Sequence, residues 1–191
     1  MSAAKPSILL PFKTFAYEGA AVGRLLAGYS NLEVGLLHCV QMGLGDFDTV
    51  FKAMFRHRGE RRRIDEAKKL GRPVYVSLGL EADFQTAIAA MRLCLDIRNQ
   101  YAHWVWWDDN TGQLAFANLE DLAKEKAPVK NFDQLGVHHV DAALLDDQEA
   151  YFVYADRCLA WVNYEGRFLS GKLQRRVYPQ PKPVAPPMLK L

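Results

Sequence analysis

Apolar positions recur at three- and four-residue steps along most of this chain, the periodicity of a helix with one face buried. From about Tyr17 to Met42 the stripe is Val22, Leu25, Leu26, Tyr29, Leu32, Leu36, Leu37 and Val40. Gly43-Leu44-Gly45-Asp46 stops this helix, and Asp46 is placed to cap the next. A second helix is expected over Phe47 to Arg56 and a third over Glu60 to Leu70. Gly71-Arg72-Pro73 is expected to end the third, with Val74 to Gly79 as a connection. A fourth helix spans about Leu80 to His103 on the stripe Phe84, Ile88, Met91, Leu95, Arg98 and Ala102. The last long helix covers about Ala143 to Leu169; its aromatics Tyr151, Tyr154, Trp161, Tyr164 and Phe168 read as core.

Between the last two helices the period changes. Trp104-Val105-Trp106-Trp107, the turn signal Asp108-Asp109-Asn110-Thr111-Gly112, and Gln113 to Ala117 predict a short β-hairpin. Leu119 to Lys126 has room for a turn or two of helix before Pro128, and a strand is expected near Val137. The whole is a mainly α chain: a bundle of about five helices with a small hairpin insertion. One domain is expected over residues 1–178, with hairpin and loop insertion at about 104–142. Residues 179–191 are Pro-rich and read as an extended or disordered tail, or as a strap on a neighbouring subunit.

No run of eighteen apolar residues exists, so no membrane span is expected, and the chain reads as cytoplasmic. Cys39, Cys94 and Cys158 are odd in number and set among apolar neighbours, as buried free thiols are. No CxxC, HExxH or phosphate-loop pattern occurs, and adjacent His138-His139 make a poor metal pair. Neither metal nor cofactor is expected. The formal charge of +2 hides an asymmetry: residues 52–72 hold nine Lys or Arg against three acids, and residues 108–149 hold ten acids against three Lys. One basic edge suits a polyanion. Arg58, Arg61, Arg62 and Arg63 are its candidate contacts, although a solvated helix face is an equal reading.

The densest chemistry is Arg98-Asn99-Gln100-Tyr101-Ala102-His103, closing the fourth helix. A guanidinium matches phosphate oxygens and stays charged; an imidazole moves protons near neutrality. The helical step puts Arg92, Asp96, Asn99 and His103 on one side, so Asn99 can orient the imidazole and Asp96 can bias its charge. Arg98 and His103 lie about 140° and roughly 7.5 Å apart on a regular helix. They reach one phosphate only through a kink or through a second copy across a two-fold axis. Glu33, on the apolar side of the first helix, needs a partner if buried. Arg98 is the obvious one, and an edge glutamate facing solvent is the other reading.

With these residues the chain resembles the HEPN superfamily, helical bundles whose late helix ends in Arg, a polar residue, three variable residues and His. Arg98 is the arginine, Asn99 the polar residue, Gln100-Tyr101-Ala102 the variable stretch and His103 the histidine. The likeness covers roughly residues 17–170. It implies a metal-independent endoribonuclease, active as a homodimer with motif residues of both copies in one cleft. Toxin–antitoxin or phage-defence systems are implied too, with an antitoxin or regulatory partner. Arg98, Asn99 and His103 would be catalytic; Asp96, Glu33 and Tyr101 would support them. Two other readings stay open: a non-catalytic module binding RNA or protein, which exposed Trp104, Trp106 and Trp107 and the Pro-rich tail would suit, and a structural helical oligomer.

Overall fold

The computed structural model describes residues 9–124 and 138–189. A single turn, α1 (Pro11–Thr14), leads into α2 (Ala16–Leu44), followed by α3 (Phe47–Phe55), α4 (Glu60–Ser77) and α5 (Glu81–Ala102). Strands β1 (Val105–Asp108) and β2 (Leu114–Ala117) form the hairpin, then come α6 (Leu119–Lys124), β3 (His138–Val140) and α7 (Ala142–Leu169). The five long helices are those the periodicity predicts, because each buries the stripe that defines it.

The core lies where α2, α5 and α7 meet, with α4 closing it against α2 and α5. Leu25, Leu36, Ile88, Met91 and Leu159 are almost fully withdrawn from water there. At roughly 1.5–3 kcal/mol per fully buried aliphatic side chain, such positions dominate the stability of a domain this size. Loop chemistry sets the corners. Gly45, at φ 82°, ends α2, and its N–H donates to the Gln41 carbonyl. Asp46 caps α3 by accepting from the Thr49 N–H at 3.1 Å. Asp141 caps α7 from the Leu144 N–H at 2.8 Å.

Helix α4 does not stop at Gly71-Arg72-Pro73; it runs on to Ser77 with Pro73 inside it. Two observations give the reason. Gly71 is buried against the Phe84 ring, where an added Cβ would sit 2.8 Å from the ring edge, so this glycine permits close packing of α4 on α5. Four residues later Tyr75 is buried, stacks on Phe84 at 4.4 Å, and donates its hydroxyl to the Cys39 carbonyl at 3.0 Å. That packing offsets the hydrogen bond that Pro73 forfeits. The helix stops instead at Ser77, capped by Leu78 and followed by Gly79 at φ 71°, after which the Leu80 N–H reaches back to the Tyr75 carbonyl at 2.8 Å.

The insertion is a three-stranded antiparallel sheet, ordered β1-β2-β3, rather than a lone hairpin. Val105 pairs with Ala117 and Leu114 with Val140. Central β2 is buried along its whole length. The third strand follows the site where a strand was expected; Val137 itself lies outside the described residues. Trp106 is buried and Trp104 and Trp107 are half-buried, which corrects the expectation of three exposed tryptophans. Trp104 stacks on Phe116 at 4.5 Å and Trp106 on the same ring at 5.1 Å, while Trp106 also meets Tyr101 of α5 at 5.6 Å and Phe12 of α1 at 5.5 Å, which ties the sheet to the bundle.

After α7 the chain reverses at Gly171, φ 74°, and runs back along the helix in extended form. Arg176 pairs with Glu165 at 3.0 Å, and Tyr178 meets Tyr164 edge-on at 5.0 Å. Further on, the Met188 and Leu189 carbonyls accept from Gln148 Nε2 at 2.8 and 3.3 Å. Prolines suit such a strap, because they need no donors satisfied and resist other conformations. Of the three fates expected for the tail, the described part is an extended strap on its own chain.

Candidate functional site

Helix α5 stays helical to Ala102, and His103 is its C-cap at φ −114°, ψ 3°. The chain leaves the axis there because Trp104 turns into the sheet. No kink brings Arg98 toward His103, and the two side chains face different ways. Arg98 turns to α4: its Nη1 donates to Asn99 Oδ1 at 2.9 Å and lies 3.6 Å from Oε1 of Glu60, the first residue of α4. Both partners of that ion pair are about 28–29 % exposed. His103 is exposed and lines an open cleft of about 400 Å³ with Asp96, Asn99, Gln100, Trp104, Asn118 and Leu189. Among the described residues its imidazole makes no hydrogen bond.

Asn99 therefore stands between the two charged groups, touching Arg98 and walling the cleft of His103. Its carbonyl oxygen accepts from the arginine, which leaves its amide hydrogens for another acceptor. Asp96 shares the cleft, as the helical step requires, but Arg92 does not line it. Arg92 is drawn to Asp65 on α4 instead, Nη2 to Oδ1 at 2.5 Å. Tyr101 points away from the cleft. It is buried against Trp106 and Phe116, and its hydroxyl donates to Gln148. Burial raises the pKa of that phenol well above its usual range.

Glu33 is paired, but not with Arg98. Its Oε1 accepts from Arg63 Nη1 at 2.9 Å, with both side chains largely covered. The rest of the Arg63 guanidinium is engaged as well. Nε donates to the His57 carbonyl at 2.8 Å, Nη2 to the Arg58 carbonyl at 3.4 Å, and the fork lies over the Phe55 ring at 5.0 Å. The Arg61-Arg62-Arg63 run is thus divided. Arg61 and Arg62 are exposed, as is Arg58, while Arg63 clamps the α3–α4 corner. Helical geometry accounts for the division: Arg63 precedes buried Ile64 and lies nearest α2.

Beneath Arg98 sits Tyr29, 2 % exposed, whose hydroxyl has no hydrogen-bond partner among the described residues. Burial first, then the negative charges of Glu33 and Glu60, push its pKa far up, so it stays a neutral phenol. Arg98, Glu60, Glu33, Arg63 and Tyr29 form one polar seam across α2, α4 and α5. No spacing rule could have assembled it from three separate helices.

Two buried carboxamides escaped sequence reasoning. Gln148 is fully buried and Gln100 is 7 % exposed. Gln100 Nε2 joins Gln148 in donating to the Leu189 carbonyl, so the strap ends as a wall of the His103 cleft. Their signal was faint: a glutamine falling on an apolar stripe. A larger cavity, about 960 Å³, lies between α7 and the strap and contains no residue of the motif.

Elsewhere the chemistry is structural. Asp109 at the hairpin turn accepts from the Thr111 hydroxyl at 2.6 Å and pairs with His139 Nε2 at 2.8 Å. The Thr111 hydrogen bond first, then His139, hold its carboxyl down at about 2. His139 is thereby committed to the turn. All three cysteines are free and buried, and burial pushes the Cys39 thiol up to about 12. No group of three or more His, Cys, Asp or Glu among the described residues is arranged to hold a metal. No family model, curated protein or solved structure matches this chain.

Proposed function

We propose that this chain is a metal-independent endoribonuclease of the HEPN kind, working as a homodimer. The observation that carries the reading is an arginine, an amide and a histidine closing one well-packed helix, with the imidazole unpartnered in an open cleft. A structural histidine would be expected to hold a helix carbonyl or a carboxylate. His103 holds neither among the described residues.

The chemistry needs only what RNA and these groups supply. A neutral His103 takes the proton of the 2′-hydroxyl as its oxygen attacks phosphorus. The bond to the 5′-oxygen breaks, and a protonated imidazole donates to that leaving oxygen. The products are a 2′,3′-cyclic phosphate and a free 5′-hydroxyl. Arg98 steadies charge on the non-bridging oxygens, and Asn99 holds the guanidinium. Arg98 and His103 occupy different walls of one chain, so a second copy is the means of placing both on one phosphate. A toxin or phage-defence role, with an antitoxin or regulatory partner, is the setting the resemblance implies.

One contact favours a second reading. Arg98 already faces Glu60, as an arginine that merely ties α5 to α4 in a binding module would. Glu60→Gln separates the two. A catalytic Arg98 keeps or gains activity when released, whereas a structural one costs stability when its partner goes.

The test is cleavage of mixed cellular RNA in excess EDTA. His103→Ala should lose at least about a hundredfold, the usual worth of a general acid or base. Cyclic-phosphate ends should appear, and DNA should stay intact. Mixing inactive Arg98→Ala and His103→Ala proteins should restore part of the activity, because a mixed dimer holds one intact Arg–His pair across the interface. Cleavage indifferent to His103, or none at all, would overturn the reading.

A further inference from the structure

Helix α3 carries three phenylalanines at a spacing of four. Phe47 stacks on Phe51 at 5.9 Å with 14° between the rings, and Phe51 on Phe55 at 5.0 Å with 25°. Phe55 is half-buried beneath Arg63, but Phe47 and Phe51 are 47 % and 44 % exposed. Single exposed apolar side chains are ordinary; two stacked aromatic rings kept in water on one short helix are not. The Arg63 fork over Phe55 fixes this row beside the turn that carries Arg58, Arg61 and Arg62.

The charges around the row are unbalanced in a particular way. Every carboxylate between residues 46 and 72 is already engaged. Asp46 caps α3, Asp48 holds Lys52 at 2.6 Å, Glu60 faces Arg98, Asp65 holds Arg92, and Glu66 holds Arg56 at 3.5 Å. Glu33 is taken by Arg63. Arg58, Arg61 and Arg62 are exposed, and no ion pair reaches them among the described residues. A second copy of this surface would bring more arginines and no spare acid. A single nucleic-acid strand brings phosphates for the guanidiniums and unstacked bases for the rings, the pairing by which single strands are held.

We infer that the Phe47–Phe51 row and Arg58, Arg61 and Arg62 form a stacking platform for single-stranded RNA. The platform meets the motif at the first turn of α4, where Glu60, next to Arg61, touches Arg98. A strand lying on the platform is thereby led toward the cleavage site. That the polymer is RNA rests on the ribonuclease reading; the stacking and charge do not.

The experiment measures binding by fluorescence anisotropy in a His103→Ala background, using a labelled RNA of mixed sequence, single or annealed to its complement. The single strand should bind more tightly than the duplex. Phe47→Ala with Phe51→Ala should weaken single-strand binding about tenfold or more while leaving duplex binding and Tm alone. Phe51→Tyr, which keeps a ring, should retain affinity. Replacing Arg58, Arg61 and Arg62 by Ala should reduce the salt slope by about 2, at about 0.7 per phosphate contact. Unchanged affinity without the rings, or equal affinity for duplex, overturns the platform. So does sedimentation showing that the ring substitutions split a homodimer, which would assign the row to a second copy. Cleavage by the wild type with dispensable rings would sink the platform and spare the ribonuclease reading. Ring-dependent binding without any cleavage would do the reverse.

Discussion

Replacing Gln148 with leucine keeps the volume of a fully buried side chain and removes its polar end. Three contacts go with it: acceptance from the Tyr101 hydroxyl, and donation to the Met188 and Leu189 carbonyls. The two carbonyls lie on the strap and can turn to water or, for Leu189, to Gln100. The Tyr101 hydroxyl cannot, since the residue is 2 % exposed. An orphaned buried donor costs about 1–3 kcal/mol, so about 2 kcal/mol is expected in all. For a chain of this length that lowers Tm by about 4–8 °C. Tyr101→Phe removes the orphan itself, so the double variant should lose about 1 kcal/mol less than the two singles summed. Thermal or urea unfolding of the four proteins measures this. Limited proteolysis should also cut residues 179–189 faster in Gln148→Leu, since their anchor is gone. A neutral Gln148→Leu, or strict additivity in the cycle, would refute the reasoning.

The divided arginine run makes a paired expectation. Arg63→Ala should cost about 2 kcal/mol, because Glu33 and two backbone carbonyls lose a charged donor. Arg61→Ala with Arg62→Ala should stay within about 0.5 kcal/mol, and equal losses would mean the run is not divided. The Asp109 carboxyl, held down at about 2, stabilises the turn above its unfolded value of about 3.9 and ceases to do so as pH falls through about 2. The Tm advantage of the wild type over Asp109→Asn should therefore be full at about pH 5 and vanish near pH 2; an advantage persisting there would contradict the cause given. Native protein should resist iodoacetamide at all three cysteines and label fully once unfolded, since burial holds the Cys39 thiol at about 12 and raises Cys94 and Cys158 too. Rapid labelling of the folded chain would show a thiol that is reached.

By itself the sequence determined whatever depends on neighbours a few residues apart. The stripes of α2, α5 and α7, the Asp46 cap, the glycine stop after Leu44 and the hairpin turn at Asp109 are all local, and the structure has them where the pattern puts them. So is the order of groups along α5, with Asp96, Asn99 and His103 on one wall and Arg98 on another. Tertiary structure decided everything that joins distant segments. Gly71 and Pro73 read as a stop, yet α4 passes through them because Phe84 and Tyr75 gain more from packing than one missing hydrogen bond loses. Glu33 was legible as needing a cation; its choice of Arg63 over Arg98 depends on how α4 lies against α2. Tyr101 belongs to the sheet and Gln148 because β1 turns back beneath α5. The strap lies on its own chain because two buried amides on α5 and α7 face two carbonyls at its far end, a match between residues 40 to 89 positions apart. Periodicity can announce that a side chain is buried. Only the assembled helices decide which polar group meets it there.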